Sequence, residues 1–390
     1  MDYKNVLNEK LFSINRSPTL QFTSLAKQLK AEGKDVINFS AGEPDFDTPQ
    51  FIKSAAKKAL DNGITKYTPS TGFFELKEAI AKKLSIENRI SCSAENIIVT
   101  AGAKFAVFLA ILSLVNDGDE VIIPSPYWVS YPEMVKIARG KIRVLPAKKE
   151  NNFKITSQDL KSVITNKSKL LILNYPANPT GITYTKDELE MIWRAIQGFD
   201  LFVLSDEIYE KIIFEDIEHV SFASLDGAGQ RTITVNGFSK SYSMTGWRIG
   251  FMAGPREIIQ EASKIVDNTT SCPNSFAQKA AIGALKNNKD WFKFIKSTFQ
   301  ERRDLIYNGI RGCKNIFPLK TQGTFYLFCD ISRTNLSSVD FASRLLNEQL
   351  VSVIPSPGFG IEGYVRISFS TSRENIEKGI ARIKKFVSNI

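Results

Sequence analysis

Lys240 and Arg248 stand eight positions apart in the stretch Val235–Gly250, VNGFSKSYSMTGWRIG. The lysine sits among small and hydroxylic residues just after an apolar run, Thr232–Val235, and a second apolar run begins at Ile249. At the mouth of a buried strand an ammonium is poorly solvated, which favours the neutral, nucleophilic amine. Such an amine condenses with an aldehyde to a Schiff base, and a guanidinium grips a dianionic phosphate with a bidentate fork. Pyridoxal phosphate carries an aldehyde at one end and a phosphate at the other, so it would join both needs. A surface lysine beside a turn is the alternative, and this stretch alone does not separate the two.

Other residues fit the same chemistry, each with a plainer reading beside it. Asp206, in LSDEIYE at the end of an apolar run, could hold a proton on a pyridine nitrogen, or merely cap the following turn. Tyr209 could donate its phenol to a ring oxygen, or be an ordinary buried aromatic. Asn178 in NYPANPTG is held extended by Pro179 and could donate to the same oxygen, or serve turn geometry only. In TAGAKF the amides of Gly102, Ala103 and Lys104 suit a phosphate at a helix N-terminus, or a tight strand-to-helix turn. Trp128 in SPYWVSYP could stack on a flat ring, or belong to the core. Arg366 falls inside a strand pattern, VRISFS, and a buried arginine demands a carboxylate from the protein or from a substrate.

The elements that must position these groups follow from the patterning. Seven short apolar runs alternate with helical patterns: Ile97–Thr100, Glu120–Pro124, Ile142–Leu145, Leu170–Asn174, Leu201–Ser205, Thr232–Val235 and Ile249–Ala253. This predicts an α/β fold with a mostly parallel sheet covered by helices on both faces. Ligands bind such sheets at the carboxyl ends of the strands, where the unusual polar residues cluster. Upstream, Leu20–Lys30 predicts a helix, Val36–Phe39 a strand, and Thr48–Pro49 a capped helix start. Beyond about Asn288 a long helical pattern leads into three strand patterns, GTFYLFCD, VSVIPS and YVRISFS, flanked by helices over Ser338–Glu348 and Ser372–Val387. The expected division is a large domain over 48–288 and a smaller α+β domain built from 1–47 and 289–390.

Bulk properties exclude several classes. The net charge of +10 comes from 51 basic and 41 acidic residues spread without a long basic tract, so no nucleic-acid partner is expected. The four cysteines show no metal or CxxC spacing and read as free thiols of a reducing compartment. The single histidine, His219 in IEHVS, reads as a surface residue, so zinc sites and Ser-His or Cys-His triads have little support. The start, MDYKNVLNEKLF, has no long apolar core, and Phe105–Val115 is too short to span a bilayer. A soluble, cytoplasmic protein with no membrane association is expected.

Taken in series, AGEPDFDTP, KYTPSTG, SPYWVSYP, NPTG, SDEIYE, SKSYSMTGWRIG and VRISFS resemble the fold-type I pyridoxal-phosphate aminotransferases, and among them the bacterial and plastid aspartate aminotransferases. The resemblance covers nearly the whole chain. It implies a seven-stranded large domain, a small domain from both termini, and a homodimer. It implies that Lys240 carries the cofactor as a Schiff base and later moves the proton, that Asp206 pairs with the pyridinium, and that Tyr209 and Asn178 bond the ring oxygen. It gives the phosphate to Arg248, Ser239 and the Gly102–Lys104 amides, with Tyr67 reaching a phosphate across a dimer interface. Trp128 would stack on the ring, and Arg366, with Gly42 and Asn178, would take the substrate α-carboxylate.

The chain departs from animal-type relatives at Gly237, where they have serine, and at Ala103 and Lys104, where they have hydroxyl side chains. It also lacks their motif for a distal-carboxylate arginine; Lys104 with Ser17 or Thr19 matches the bacterial alternative. The expected reaction is transfer of an amino group between L-aspartate and 2-oxoglutarate in two half-reactions, with amino acids and 2-oxo acids as the partners. A prephenate or aromatic aminotransferase and a lyase on the same scaffold are the alternatives within the class. A cofactor-sensing transcription regulator is the alternative outside it, and it would need an added DNA-binding module.

Overall fold

The computed structural model describes residues 6–16, 18–286 and 288–390. A helix, α1 (Pro18–Ala31), and a short strand, β1 (Ile37–Asn38), precede the main sheet, and α2 (Gln50–Asp61) and α3 (Phe74–Asn88) follow. The seven apolar runs are the seven strands of one sheet: β2 (Ile97–Thr100), β3 (Glu120–Ser125), β4 (Lys141–Pro146), β5 (Ser168–Asn174), β6 (Phe202–Asp206), β7 (Thr232–Gly237) and β8 (Gly250–Ala253). Their order is β2-β8-β7-β6-β5-β3-β4. Only β8 runs antiparallel to its neighbours; the remaining pairs are parallel.

The sequence of each strand matches its place. Strands β2, β7 and β8 are buried along their whole length; β2 and β8 are almost wholly apolar or small, while β7 also buries Thr232, Thr234 and Asn236. Edge strand β4 is mostly accessible and carries Lys141 and Arg143, charges that discourage pairing with another edge. Arg143 also makes two hydrogen bonds to Glu120 of β3, at 2.9 and 3.0 Å.

Helices α4 (Ala103–Leu114), α5 (Ser130–Ile137), α6 (Ser157–Val163), α7 (Lys186–Ile196), α8 (Arg256–Asp267) and α9 (Ser275–Lys286) cover the sheet. Helix α4 is apolar nearly all round because it is buried beneath the strands with α8. Helices α6 and α7 start with reciprocal caps, Thr156 with Asp159 and Thr185 with Glu188. On leaving β3 the chain goes outward to β4 and then returns to β5 on the other side, so a crevice opens at the carboxyl ends of β3 and β5.

The C-terminal part begins with the long helix α10 (Lys289–Ile310) and continues through β9 (Phe317–Pro318), β10 (Tyr326–Asp330), α11 (Ser338–Gln349), β11 (Val351–Ser352), β12 (Ile354–Pro355), β13 (Tyr364–Ser368) and α12 (Arg373–Val387). Strands β12-β13-β10-β9 form an antiparallel sheet, while β11 pairs in parallel with β1. The N-terminal segment is therefore tied to the C-terminal part, and Phe39 is buried in the same core as Phe341 and Phe386.

Three local expectations need correction. VSVIPS is not one strand: Val351–Ser352 pairs with β1 and Ile354–Pro355 with β13, so the chain changes sheets at Val353. Thr48 does not cap α2, whose N-cap is Pro49 without a side-chain bond. The Thr48 hydroxyl is already engaged, donating to the Ser243 carbonyl at 2.6 Å and accepting from Trp247 Nε1 at 2.9 Å. His219 is not a surface residue; its side chain is only 9% exposed and bonds to the buried Glu207.

Candidate active site

Polar residues at the carboxyl ends of β2, β5, β6 and β7 meet those of β10 and β13 around a cavity of about 250 Å³. Lys240, three residues past the end of β7, is half-buried in its wall. Its Nζ donates to the Gly42 carbonyl at 2.6 Å. Burial pulls the ammonium down to about 8; Glu43 opposes this, while Arg366, Arg248 and Lys104 push the same way as burial. About half of the amine is thus neutral near pH 8, which a nucleophile needs. Gly237, where animal-type relatives have serine, lies against β8, and a Cβ there would come within 3.0 Å of the Gly250 Cα.

Asp206 ends β6 in register with Asn174 of β5 and Val235 of β7. Its carboxylate accepts the Tyr131 hydroxyl at 2.6 Å and, more weakly, the Ile208 amide at 3.3 Å. Burial raises the carboxyl to about 6, with the Tyr131 bond the first of the influences that hold it lower. Tyr131 was not singled out in the sequence. It lies within SPYWVSYP three residues after Trp128, a spacing that puts both rings on one face of the turn leading into α5, 5.2 Å apart and edge to face.

The far end of the cavity joins an uncapped helix N-terminus to an arginine, a combination that suits an anion. Helix α4 begins at Gly102 with no side-chain cap and no acidic residue in its first turn. Gly102 has φ +88°, and a Cβ there would sit 2.5 Å from Arg248 Nη2. Gly250 is needed from the other side, since its Cβ would meet the Ala103 nitrogen at 2.3 Å. Arg248 donates to the Thr245 carbonyl at 2.8 Å and to the Ala101 carbonyl at 3.4 Å. Ser239 is buried in the adjoining wall.

Arg366, in the middle of β13, is 2% exposed and lines the same cavity. It donates to Asn178 Oδ1 at 2.9 Å and to the Ser40 carbonyl at 3.1 Å, and its Nε has no partner. Its guanidinium lies 4.2 Å from the Tyr326 ring centroid and 5.4 Å from that of Phe359. Among the described residues no carboxylate forms an ion pair with it, so the protein leaves its charge uncompensated, an arrangement that suits an incoming carboxylate. Because Arg366 occupies the Asn178 amide oxygen, the Asn178 NH2 remains as a donor. Tyr209 is buried with its hydroxyl 3.1 Å from that of Tyr326. Tyr326 also lines the cavity, and nothing in GTFYLFCD distinguishes it from an ordinary strand aromatic.

Lys104 stands exposed at the rim, with Nζ 5.0 Å from the Trp128 ring centroid. Partial burial, and then Arg248, hold its ammonium below the ordinary lysine value. Gly42 is also in the wall, 3.3 Å from the Tyr326 hydroxyl if given a Cβ. Tyr67 is not brought to the cavity by this chain and is 91% exposed. Ser17 lies outside the described residues, as does the side chain of Thr19.

The groups present fit pyridoxal phosphate: a lysine of lowered basicity, a buried carboxylate to one side, and an uncapped helix N-terminus beside an arginine to the other. Comparison with known proteins agrees. A family model described as "Aminotransferase class I and II" matches residues 34–383. An aspartate aminotransferase of Bacillus sp. (strain YM-2) is 44% identical over 98% of this chain and all of its own. A probable aspartate/prephenate aminotransferase of Aquifex aeolicus (strain VF5) is 42% identical over 98% of this chain and 99% of its own. Among solved structures, an aspartate aminotransferase from Thermus thermophilus with maleate superposes with a TM-score of 0.94 at 38% identity, covering 97% of this chain and 99% of that one. The chain belongs to the class I and II aminotransferases and is a pyridoxal-phosphate-dependent enzyme of that family.

Proposed function

We propose that the protein is an aspartate aminotransferase, moving an amino group reversibly between L-aspartate and 2-oxoglutarate by a ping-pong cycle. The observation that carries this reading is Arg366, buried without a carboxylate partner among the described residues, in a cavity whose rim holds a second cation, Lys104. Two cations on one cavity suit a dicarboxylate, with Arg366 taking the α-carboxylate by a planar fork and Lys104 the distal one. The aspartate/prephenate naming of the Aquifex relative supports a second substrate, prephenate, whose side-chain carboxylate would meet the same Lys104.

When bound, pyridoxal phosphate supplies an aldehyde carbon that joins the substrate amine and a ring that takes up the electron pair left at Cα. The chain's own residues do the rest. Lys240 Nζ is the base for the Cα proton. The Asp206 carboxylate would keep a proton on the ring nitrogen, and Tyr131 holds that carboxylate in place. Tyr209 and the Asn178 NH2 would donate to the ring oxygen, and Trp128 would lie against the ring. Arg248, Ser239 and the Gly102, Ala103 and Lys104 amides hold the phosphate. Gly42, beside Lys240, borders the carboxylate site, with Ser17 or Thr19 assigned to the distal end.

Tyr67, exposed in a single chain, is assigned to the phosphate of a second copy in a homodimer. The working division is a large domain over 48–288 and a small one over 1–47 and 289–390, in a cytoplasmic enzyme whose described cysteines are all free. The test is transfer from a panel of amino acids, with and without Lys104→Ala. Aspartate and glutamate should exceed alanine, and the substitution should erase that preference by about tenfold, the scale of one exposed charge contact at a binding site. Equal rates for acidic and neutral amino acids in the native enzyme would refute the substrate assignment.

A further inference from the structure

The segment that carries Asp206 and Tyr209 toward the cavity has a second face. Side chains alternate along β6 and its extension, so Ser205 and Glu207 point away from the cavity while Asp206 points into it. Glu207 is fully buried and accepts three bonds, from Ser205 Oγ at 2.7 Å, Ser221 Oγ at 2.5 Å and His219 Nε2 at 2.9 Å. The His219 ring lies 5.4 Å from that of Tyr175, tilted by 31°. One turn on, Glu210 is also turned from the cavity and is held by Lys83 and Asn88 of α3. Asn88 Nδ2 also reaches Ser221 Oγ at 2.7 Å, joining the two halves.

Burying two carboxylates costs several kcal/mol each in desolvation, and well-packed apolar groups fill such a space at least as stably. What bonded carboxylates add is direction, because each fixes a backbone position to named partners. A cation site is the other reading, since donor atoms of Glu207, Glu210 and His219 lie within 4.8 Å of one another. It fails because the Lys83 ammonium already pairs with Glu210, and the hydroxyls and imidazole already fill Glu207.

We propose that Glu207 and His219 are positioning residues for the cofactor: through the backbone of β6 they hold Asp206 aimed at the ring nitrogen, although neither lines the cavity. This rests on the role given to Asp206 above. The Asp206 carbonyl is pinned on one side by the Tyr175 amide at 3.2 Å and Asn174 Nδ2 at 3.0 Å, and the Glu207 amide on the other by the Val235 carbonyl at 2.9 Å. The Glu207 side chain supplies the remaining fixed point.

His219→Phe tests this, because the ring stays on Tyr175 while the bond to Glu207 is lost. His219→Gln keeps a donor near the Nε2 position. Apo-protein is titrated with pyridoxal phosphate, following affinity, the circular dichroism of the bound cofactor, and the pH midpoint of its colour change. His219→Phe should bind about tenfold more weakly, which is ~1.4 kcal/mol, with reduced dichroism and a moved midpoint. His219→Gln should recover most of each. Ser221→Ala removes a different donor to Glu207 and should act in the same direction, so the test survives if His219→Phe does not fold. If the variants melt earlier but all three cofactor readouts stay native, the network serves stability alone and the proposal is wrong. Asp206→Ala is the control: if it too leaves the readouts native, the role of Asp206 itself falls, and this inference with it.

Discussion

Two arginines in the C-terminal part, Arg303 of α10 and Arg366 of β13, are each 2% exposed, yet they are surrounded in opposite ways. Arg303 is compensated by the protein. Its Nη2 lies 3.1 Å from Glu215, its Nε 2.7 Å from Asp304, and its Nη1 donates to the Thr321 carbonyl at 2.8 Å. Arg366 has an amide oxygen, a carbonyl, two aromatic faces and no carboxylate among the described residues. Burial is the same for both, so burial does not mark function. What differs is charge compensation: Arg303 has its anions built in, whereas Arg366 has none among the described residues, which is why we propose a ligand role for Arg366 and a structural one for Arg303.

Substitutions can break or sharpen that contrast. The largest effect is expected at Arg366→Leu. It should lower kcat/KM for aspartate on the order of 10²- to 10³-fold, the cost of losing a buried carboxylate contact, while the melting temperature of the apo-protein does not fall. Arg303→Leu should do the reverse, losing ~2–4 kcal/mol of stability by denaturant titration with kcat/KM per folded molecule unchanged. If Arg366→Leu unfolded the protein and spared catalysis, the distinction would collapse.

Asp206 extends the comparison to anions. Its carboxyl is raised by burial to about 6, so the folded state holds the proton more tightly than the unfolded chain. Stability from this group is therefore greatest at low pH and is lost as pH rises from the unfolded value through about 6. Asp206→Asn should stabilise the apo-protein by ~1–3 kcal/mol at neutral pH and much less below pH 4, while crippling transamination. A smaller effect concerns cofactor capture by the apo-protein. The Lys240 amine is neutral above about 8 and Asp206 is charged above about 6, so the capture rate should climb from acid pH and level off above pH 8. A rate flat between pH 6 and 8 would mean that Lys240 is not the group being titrated.

The seven strands and the residues at their carboxyl ends were readable from the chain because both rest on local pattern. Unbroken apolar runs bounded by turn residues mark two-sided burial, and a polar residue just past such a run must face the open end of the sheet. Lys240, Asp206, Asn178 and the Gly102 turn were found on that basis. Tyr131 and Tyr326 were not, because an aromatic residue looks the same in a helix or strand whether its hydroxyl meets a carboxylate or a core. The burial of His219 is not legible in IEHVS, which is polar in sequence, because its partner Glu207 comes from a different segment. Thr48 has the sequence context of a cap, but the loop at Ser243–Trp247 takes its hydroxyl.

Sequence by itself determined which groups the chain could bring to a cofactor and the order of strands along the chain. Tertiary structure alone decided which groups are paired and which are left waiting. The reason is physical: periodicity is a property of neighbours along the backbone, whereas compensation of a buried charge depends on partners such as Asn178 and Ser40, 188 and 326 residues away from Arg366.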